Sequence, residues 1–496
     1  MKNILIRYVN EFNTRDNEYY VQDIANAKAG EWMFENIPLI DIPDKVIEEI
    51  YYFRWWVFRK HIKNTEDGYV ITEFLPRVPW SGKHNTIIAA AGHHITEAKW
   101  LKCGREIIED YSRLWLDEKS KTYLYSSWII DSIYEYCRHI GDYSFGTQNL
   151  NSLIRYYENF EREHITKCGL LWSLDNHDAM EYSISGVSED GRVMKGLRPT
   201  LNSYMAANAL AISKLSAISN EQEISKLYLE KHEFLKNKMN ELLWDGEFYK
   251  AIHKDNLNEP TFDNLPVTQN VKELIGYIPW QFNLAPEGYE SAFKELKKAD
   301  GFLSPHGLCT AERKHVRYLY QADHECLWNG YIWPFATSQT LRAIENLLTN
   351  YKQDIITESD FYNLIRQYAE SHKITLPDGK SLCMIDEVKH PDTNEWSSRI
   401  ILKNAGWQEQ KGGFERGKDY NHSTFCDIVL GGLLGIRPEN GEVSVNPRIP
   451  ESWTYFKVDN LYIGDHIYSI TYDKSGEKYK SGVGLTIAKT ERVPRQ

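Results

Sequence analysis

The stretch Pro43-Asp44-Lys45-Val46-Ile47-Glu48-Glu49-Ile50-Tyr51-Tyr52-Phe53-Arg54-Trp55-Trp56 decides the fold class. Its apolar residues recur every three to four positions, which is the period of an amphipathic α-helix. Pro43 stands just before the pattern, and proline is favourable early in a helix because it has no N–H to leave unpaired. We therefore predict a helix here. Its end, Arg54-Trp55-Trp56, is expected to line the mouth of a site, with one of the two tryptophans facing the core.

The same helical period dominates the chain from about residue 17 to residue 435, and alternating strand patterns are scarce there. Further helices are predicted at about 84–101, 104–116, 123–140, 147–164, 200–218, 222–243, 334–350, 357–372 and 422–435. Roughly ten to twelve helices, joined by short turns and several long loops, indicate a mainly α fold, an (α/α)6 toroid of helical hairpins with a site at one mouth. An irregular helical solenoid is the alternative, but the sequence has no fixed repeat of roughly 34 or 40 residues.

After Gly435 the sequence changes character. Short stretches alternate between apolar and polar residues and are separated by glycine, proline and other turn residues, as in β-strands joined by turns. The clearest are 443–447, 468–472 and 483–487. A tail of about 60 residues is small for an independent fold. We therefore predict a helical domain at 1–435 and a β-rich C-terminal appendage at 436–496 packed on it.

Composition excludes several classes of function. A formal net charge of -12 disfavours a nucleic-acid partner, because phosphate backbones need clustered Lys and Arg. No apolar run approaches the roughly 18 residues of a membrane helix, and Arg7 and Asn10 interrupt the start before a secretory segment develops. Seven widely spaced cysteines form neither a disulfide framework nor a zinc pattern. We predict a cytoplasmic monomer or small homo-oligomer without metal or cofactor, provided that no signal peptide has been removed.

Two acidic loops carry the candidate chemistry, at 171–183 and 384–396. Hydrolysis of a glycoside needs one carboxylic acid to protonate the leaving oxygen and one carboxylate to activate water. Aromatic side chains among the acids suit a sugar, because their flat faces pack against it. The acids are Asp175, Asp178, Glu181, Asp386 and Glu387. For any one of them the alternative is a polar loop that caps the next helix.

Four motifs in the same order resemble those of mannosylglycerate hydrolases and processing α-glucosidases. The first, 179–183 followed by 198–205, is similar to their Gly-Met-Asp-Asn-Ser-Pro-Arg motif and the Asn-Ser/Ala-Tyr helix start after it. Segment 301–308 resembles their Tyr-Gly-Leu segment, 327–334 their Tyr-Trp-Arg-Gly-Pro-Ile-Trp, and 387–395 their Glu-Tyr-Tyr-Asp-Pro-x-Thr-Gly-Glu loop. The resemblance covers roughly residues 84–435. It implies the (α/α)6 barrel of the clan that also contains trehalase, whose members invert configuration.

The resemblance implies Glu181 as general acid and Glu387 as general base. Asp178 competes with Glu181 for the first role, and Asp386 competes with Glu387 for the second. The chain departs from the family at 181, where Glu replaces Asp, and at Ile184-Ser185, where the family has Pro-Arg. Asn329 likewise replaces an arginine. Because these arginines are missing, the family's substrates cannot simply be assigned to this chain. This holds above all for glycerate, whose carboxylate would require a cation.

A wider set of aromatic, polar and charged residues is predicted to bind the sugar. The set is Trp80, His84, Asn85, His94, Trp172, Asp175, Tyr182, Arg198, Glu312, Arg313, Trp328, Asn329, Trp333 and His422. Trp328 and Trp333 either floor the site or fill the core, and His94 is either a ligand-binding or a core histidine. Asp175 either touches substrate or caps a turn. Glu312 and Arg313 are expected to form an ion pair beside the substrate.

The sequence therefore predicts an inverting, exo-acting glycosidase for a small α-linked gluco- or mannoside. Inversion requires about 6.5–9.5 Å between the two carboxyl groups, whereas about 5–5.5 Å implies a covalent intermediate. One rival is a sugar epimerase or isomerase that transfers protons through His94 or His422. A phosphorylase is a second, although Asp386 and Glu387 would repel phosphate. A non-catalytic carbohydrate-binding protein is the third.

Overall fold

The computed structural model of the chain describes residues 1–118, 124–253, 260–263, 265–376 and 378–492. Within these residues the secondary structure is mainly α-helical, as the hydrophobic period predicts. The α-helices are α1 (Lys2–Thr14), α2 (Asn26–Asn36), α3 (Lys45–His61), α4 (Ala91–Ala98), α5 (Gly104–Leu116), α6 (Ile129–Ile140), α7 (Ser144–Gln148), α8 (Leu150–His164), α9 (Pro199–Ile218), α10 (Gln222–Leu242), α11 (Ile278–Gln281), α12 (Pro334–Asn350), α13 (Glu358–Ser371) and α14 (Ser397–Asn404). A π-helix, Ile428–Leu433, ends the helical region.

The strands are short before residue 435 and longer after it. They are β1 (Leu39–Asp41), β2 (Ile62–Thr65), β3 (Gly68–Ile71), β4 (Trp172–Ser173), β5 (Gly196–Leu197), β6 (Ile252–His253), β7 (Leu303–Ser304), β8 (Gly307–Leu308), β9 (Lys373–Thr375), β10 (Ser381–Cys383), β11 (Ile436–Glu439), β12 (Glu442–Val445), β13 (Tyr455–Ile463), β14 (His466–Asp473) and β15 (Gly484–Glu491). The last three join β1 in an antiparallel sheet of order β1-β13-β14-β15. A strand from the N-terminal region thus ties this sheet to the helices.

Gly435 marks the change from helix to strand. Its φ is +66°, in the left-handed region that favours glycine. A Cβ at this position would lie 1.8 Å from the carbonyl oxygen of Asn446. Only glycine therefore fits where the chain turns out of the π-helix into β11.

Helix bounds agree with the sequence where proline or strong periodicity defines them. Helix α12 occupies the predicted 334–350, and α9 begins at Pro199 next to the predicted start. The helix predicted from 84 was wrong, because His84 and Asn85 have φ of +58° and +61° and α4 begins only at Ala91. The helix predicted at 123–140 begins at Ile129, and Tyr123 lies outside the described residues. The period was also expected to begin near residue 17, but α1 precedes it.

Helix α3 does not line a mouth, which corrects the expectation for Arg54-Trp55-Trp56. Trp55 is 0% exposed and Trp56 2%, so both tryptophans belong to the core. The Arg54 guanidinium is buried as well and donates to the carbonyl and hydroxyl oxygens of Ser423 at 2.9 and 2.8 Å. Arg54 therefore anchors the loop that precedes the π-helix.

Six helical segments follow one another in space. Helix α4 contacts α6, α6 contacts α9, α9 contacts α11, α11 contacts α12, and α12 contacts the π-helix. The series ends beside its start, because the Glu97 carboxylate of α4 accepts hydrogen bonds from the backbone N–H groups of Phe425, Cys426 and Asp427. These are N–H groups at the start of a helix, where they have no partner within the helix. One buried side chain thus joins the first and last segments.

We expect Glu97→Ala to lower the free energy of unfolding by about 3–5 kcal/mol, because it leaves several buried N–H groups without an acceptor. Glu97→Gln keeps one acceptor oxygen and is expected to cost less. Urea unfolding followed by tryptophan fluorescence measures both. Glu106→Ala, on an exposed position of α5, serves as control and should stay within about 0.5 kcal/mol of the wild type. Equal stability of Glu97→Ala and the control would contradict the role given to Glu97.

A cavity of about 500 Å³ lies at the C-terminal ends of the same segments. Its charged lining residues are largely paired with one another. The pairs are Lys99–Asp427 at 2.8 Å, Arg138–Glu135 at 2.6 Å and Arg342–Glu345 at 2.7 Å. Among the described residues, no helix combines the length and apolar character needed to cross a bilayer.

Candidate active site

The acidic residues singled out in the sequence come together at the N-terminal ends of the six segments. The loops that carry them run directly into an inner segment. Loop 72–90 precedes α4, loop 165–198 precedes α9, loop 309–333 precedes α12, and the stretch 384–425 precedes the π-helix. The two predicted acidic loops thus bring Glu181 and Glu387 within electrostatic reach of each other, although they are some 200 residues apart in sequence.

Glu181 lies in a tight turn of loop 165–198. The residues on either side of the turn, Ala179 and Tyr182, have φ of +57° and +60°, a conformation that costs energy for residues with a Cβ. Backbone hydrogen bonds hold the turn. The Met180 N–H donates to the Asp175 carbonyl at 2.9 Å, and the Trp328 N–H donates to the Glu181 carbonyl at 3.0 Å. The position of the Glu181 side chain is therefore imposed by the backbone.

The surroundings of Glu181 favour its protonated form. Burial raises the pKa of its carboxyl group to about 8, and the charges on Asp175 and Glu387 raise it further, whereas Arg416 opposes the shift. A carboxylic acid that keeps its proton near neutral pH can act as a general acid. The same interactions place Glu387 and Arg416 within electrostatic reach of Glu181.

Glu387 is 5% exposed and forms an ion pair with Arg416. Its other carboxyl oxygen lies 4.0 Å from the Cys326 sulfur. Burial raises the pKa of Glu387 to about 7, and the Arg416 guanidinium opposes the increase. The ion pair with Arg416 therefore favours the ionised form of Glu387.

Arg416 connects Glu387 to the rest of the site. Its second terminal nitrogen donates to Glu325 at 2.9 Å, and Glu325 also pairs with Lys411 at 2.8 Å. The guanidinium lies 5.4 Å from the centre of the Trp80 ring. Both terminal nitrogens of Arg416 are thus committed to carboxylates of the protein.

Asp386, the alternative to Glu387, has its own partners, and its Oδ2 lies 3.7 Å from the Arg399 guanidinium. Its Oδ1 accepts from the Glu387 N–H at 2.8 Å and from the Ser398 hydroxyl at 3.1 Å. Gly417 packs so closely that a Cβ there would lie 2.0 Å from Asp386 Oδ1. This arrangement fixes the loop and leaves Glu387 as the carboxylate beside Cys326.

Asp178, the alternative to Glu181, belongs to a buried network. It forms an ion pair with Arg198 at 2.7 Å and accepts from Thr200 and, at 2.8 Å, from Ser126. Arg198 also donates to the Ser185 hydroxyl at 3.0 Å. Arg198 was predicted to bind substrate, but at 1% exposure it holds loop 165–198 onto α9 instead.

Asp175 acts as a turn cap. Its Oδ1 accepts from the Asn176 N–H at 2.8 Å, and its Oδ2 accepts from the N–H of Ser183 at 3.2 Å. The side chain is 0% exposed, and burial raises its pKa to about 6. Of the two roles considered for Asp175, the structure shows the cap.

Several predicted aromatic residues lie around the two glutamates. Trp80, 38% exposed, contacts Arg416. The rings of Trp328 and Trp333 stack at 4.5 Å and are 2% and 3% exposed, so they pack on each other in the core. Tyr182 stacks on His324 at 4.8 Å. Trp80 is the member of this group with a largely accessible face.

Other predicted binding residues have different partners. His84 contacts Asp67 at the surface, and Trp172 packs against His164 and Lys195. The ion pair predicted between Glu312 and Arg313 was wrong, since Arg313 pairs with Asp392 at 2.9 Å and Glu312 accepts from the Lys272 N–H at 3.0 Å.

Two further predicted residues are engaged in hydrogen-bond networks. The Asn85 side chain donates to the carbonyls of Phe74 and Pro76 at 2.8 and 2.9 Å and so shapes loop 72–90. The Asn329 side chain donates to the Tyr320 carbonyl at 2.7 Å and is 0% exposed. Both act on the shape of loops that border the site.

The two candidate histidines are neutral and engaged. His94 is 0% exposed and bonds to the Tyr111 hydroxyl at 3.1 Å, and burial lowers its pKa well below the usual range. His422 Nε2 donates to the Glu73 carbonyl at 2.9 Å, and burial lowers its pKa to about 3. Neither imidazole is a suitable base near neutral pH.

Sequence reasoning missed three charged residues of the site, Glu73, Glu325 and Arg416. Glu73 is 3% exposed and accepts a hydrogen bond from Trp80 Nε1 at 2.9 Å. Glu325 directly precedes motif 327–334, which could have drawn attention to it. Glu73 and Arg416 lie in loops whose sequences carry no comparable signal.

One group of described residues could hold a metal ion. Glu66, Asp67 and His84 offer ligand atoms within 4.8 Å of one another. The group lies at the surface, with the Glu66 side chain 74% exposed, and the Lys83 ammonium already contacts Asp67. A cation of the protein thus neutralises this cluster.

Comparisons with known proteins place the chain in a family. Residues 83–423 match the family model of the mannosylglycerate hydrolase MGH1-like glycoside hydrolase domain, and residues 436–490 match the C-terminal domain of glycosyl hydrolase family 65. A solved structure named sialidase is 37% identical, with a TM-score of 0.87 over 98% of this chain. The chain spans only 43% of that protein's length.

Two more distant structures share the fold. A GH78 family rhamnosidase of Bacillus sp. GL1 is 13% identical, with a TM-score of 0.58 over 89% of this chain and 41% of its own. A GH63 mannosylglycerate hydrolase from Thermus thermophilus is 10% identical, with a TM-score of 0.52 over 71% of this chain and 98% of its own. The resemblance seen in the sequence motifs is confirmed. The chain belongs to the mannosylglycerate hydrolase MGH1-like glycoside hydrolase family, a family of glycosidases.

Proposed function

We propose that the chain hydrolyses a small α-linked gluco- or mannoside from its end, with inversion, using Glu181 as general acid and Glu387 as general base. One observation carries the proposal: of the two neighbouring carboxyl groups, Glu387 has a cationic partner and Glu181 has a raised pKa. Glu387 is held by Arg416, whereas burial raises the pKa of Glu181 to about 8. Groups whose pKa values are separated in this way suit an acid and a base.

The proposed reaction takes one step. Ionised Glu387 removes a proton from a water molecule, whose oxygen attacks the anomeric carbon. Glu181 gives its proton to the glycosidic oxygen as that bond breaks, so the products are a sugar of inverted configuration and a free alcohol. Exchange with water then returns the proton from Glu387 to Glu181.

We further propose that the six inner segments form a closed (α/α)6 toroid. The support is the chain of contacts from α4 to the π-helix together with the hydrogen bonds of Glu97 that join its ends. In such a ring the N-terminal ends of the inner helices surround the site. Both glutamates lie in loops that enter those ends.

The charges around the site favour an uncharged glycone. A sugar carboxylate would require a free cation, preferably an arginine with two available nitrogens. Arg416 uses both terminal nitrogens on Glu387 and Glu325, and Arg313 pairs with Asp392. An acidic sugar would therefore have to displace a carboxylate of the protein.

The same geometry argues against the rival functions. An epimerase needs a base that titrates near neutral pH, but burial lowers the pKa of His94 and His422, so both imidazoles bind a proton only weakly. A phosphorylase needs a cation for phosphate at the place where Glu387 and Asp386 lie. For a protein that only binds sugar, the buried carboxyl groups of Glu73, Asp386 and Glu387 would be a cost without a benefit.

A panel of glycosides followed by ¹H NMR tests the proposal. We expect turnover of an α-glucoside or α-mannoside, with the β-anomer formed first and no dependence on added phosphate. Uronides and other acidic glycosides of the same linkage should be cleaved at least tenfold more slowly. First release of the α-anomer, or binding without turnover across the panel, would overturn the mechanism.

A further inference from the structure

Glu73 is a third carboxyl group at the site, and one of its two oxygens has no hydrogen-bond partner. It lies in loop 72–90, outside residues 83–423 that match the family model. Its Oε1 accepts from Trp80 Nε1 at 2.9 Å, whereas its Oε2 is buried without a hydrogen bond to any described group. Buried polar atoms nearly always have a partner, so an exception requires an explanation.

The backbone of Glu73 is fixed on both sides. Its N–H donates to the Asn85 carbonyl at 2.7 Å, and its carbonyl accepts from His422 Nε2 at 2.9 Å. Asn85 in turn holds the following residues of the loop through its own side chain. Asn85 and His422 thus position Glu73, although the sequence had assigned both of them to substrate binding.

The electrostatic environment keeps Glu73 neutral. Burial raises its pKa to about 8, and the charge on Glu387 raises it further, whereas Arg416 opposes the shift. Glu73 also lies within electrostatic reach of Tyr420, as Glu181 and Glu387 do. The three glutamates therefore lie within electrostatic reach of the same tyrosine, and burial favours the protonated form of Glu73 near neutral pH.

We infer that Glu73 binds a hydroxyl group of the glycone through Oε2, with Trp80 covering the same sugar. The inference rests on the proposed function and extends it to the recognition of the substrate. Trp80 occupies Oε1, so the proton of Glu73 is available on Oε2 as a donor. A neutral acid can donate to a sugar oxygen without adding a second negative charge beside Glu387. The partner missing from Oε2 is then the substrate itself.

The test compares wild type, Glu73→Gln and Glu73→Ala on 4-nitrophenyl α-D-mannopyranoside and α-D-glucopyranoside and on their monodeoxy analogues. We expect the wild type to lose roughly tenfold in kcat/KM when one particular hydroxyl is absent. Glu73→Ala should lose roughly tenfold on the parent glycoside and become insensitive to that deoxygenation alone. Glu73→Gln can still donate from its amide and should lie between them. Glu66→Gln, on an exposed position before the loop, is the control and should match the wild type.

The outcomes separate the inference from the proposed function. The inference alone is overturned if Glu73→Ala is as active as the wild type on every glycoside. It is also overturned if Glu73→Ala remains as sensitive as the wild type to the removal of each hydroxyl. Thermal unfolding of each variant shows whether a loss of activity is caused by misfolding. If Glu73→Ala is misfolded, the nearly isosteric Glu73→Gln decides whether Glu73 binds the hydroxyl. A structure with methyl α-D-mannopyranoside bound should place a sugar oxygen within hydrogen-bond distance of Oε2, and an Oε2 still without a partner overturns the inference. Absence of both turnover and binding for all these probes overturns it together with the proposed function.

Discussion

Glu387→Gln is expected to lower kcat/KM by about 10³–10⁴-fold on every glycoside that the wild type cleaves. The amide can still accept a hydrogen bond from Arg416, so the fold is preserved, but it cannot take a proton from water. The loss should therefore be the same for good and poor leaving groups. Initial rates on a 4-nitrophenyl glycoside and on the corresponding methyl glycoside measure it.

Two variants of the same loop serve as comparisons. Glu395→Gln, at an exposed position, should retain wild-type rates. Asp386→Asn should weaken the hydrogen bonds to Ser398 and to the Glu387 N–H, and we expect a smaller loss, about tenfold, with a lower unfolding temperature. A folded Asp386→Asn protein that is less active than Glu387→Gln would transfer the role of base to Asp386.

For Glu181→Gln we expect a loss that depends on the leaving group. On a methyl glycoside the rate should fall by about 10²–10⁴-fold, because the alkoxide leaves poorly without a proton. On a 4-nitrophenyl glycoside the loss should be less than about tenfold, because that leaving group needs little protonation. The ratio of the two losses is the diagnostic quantity.

The pH profile of kcat/KM is an independent test of Glu181 as the general acid. In the wild type, kcat/KM should rise as Glu387 loses its proton, near pH 7, and fall as Glu181 loses its proton, near pH 8. Glu181→Gln removes one of the two groups that titrate near pH 8 and should reduce the fall to the roughly tenfold loss expected when Glu73 loses its proton. Glu189→Gln, an exposed position of the same loop, should keep both limbs. An unchanged alkaline limb in Glu181→Gln would assign the acid to another residue.

The sequence predicts helices well where local signals act alone. Helix α12 has proline at its start and an apolar period throughout, and its predicted bounds agree with the structure. The region 84–101 has an equally apolar sequence, but the left-handed conformations of His84 and Asn85 delay the helix. Those conformations depend on tertiary hydrogen bonds of Asn85, which no periodicity reveals.

The site was predictable to the extent that its residues are marked by motifs. Glu181 and Glu387 were predicted in this way, but Arg416 was not, although its ion pair opposes the protonation of Glu387. Its partnership with Glu387 spans 29 residues and arises only when two loops meet. The adjacent Glu312 and Arg313 suggested a pair, yet each bonds elsewhere. Adjacency in sequence therefore did not predict which charged residues pair.

The hydrogen bonds of Glu97 also bear on the order in which the chain is made. Its partners lie 328–330 residues later, so they are synthesised long after α4. At about 5–20 residues per second, roughly 15–65 s pass before the last segment can meet the first. During this interval Glu97 is without the N–H groups that it binds in the folded chain. Any stop codon before residue 425 therefore leaves Glu97 without these partners.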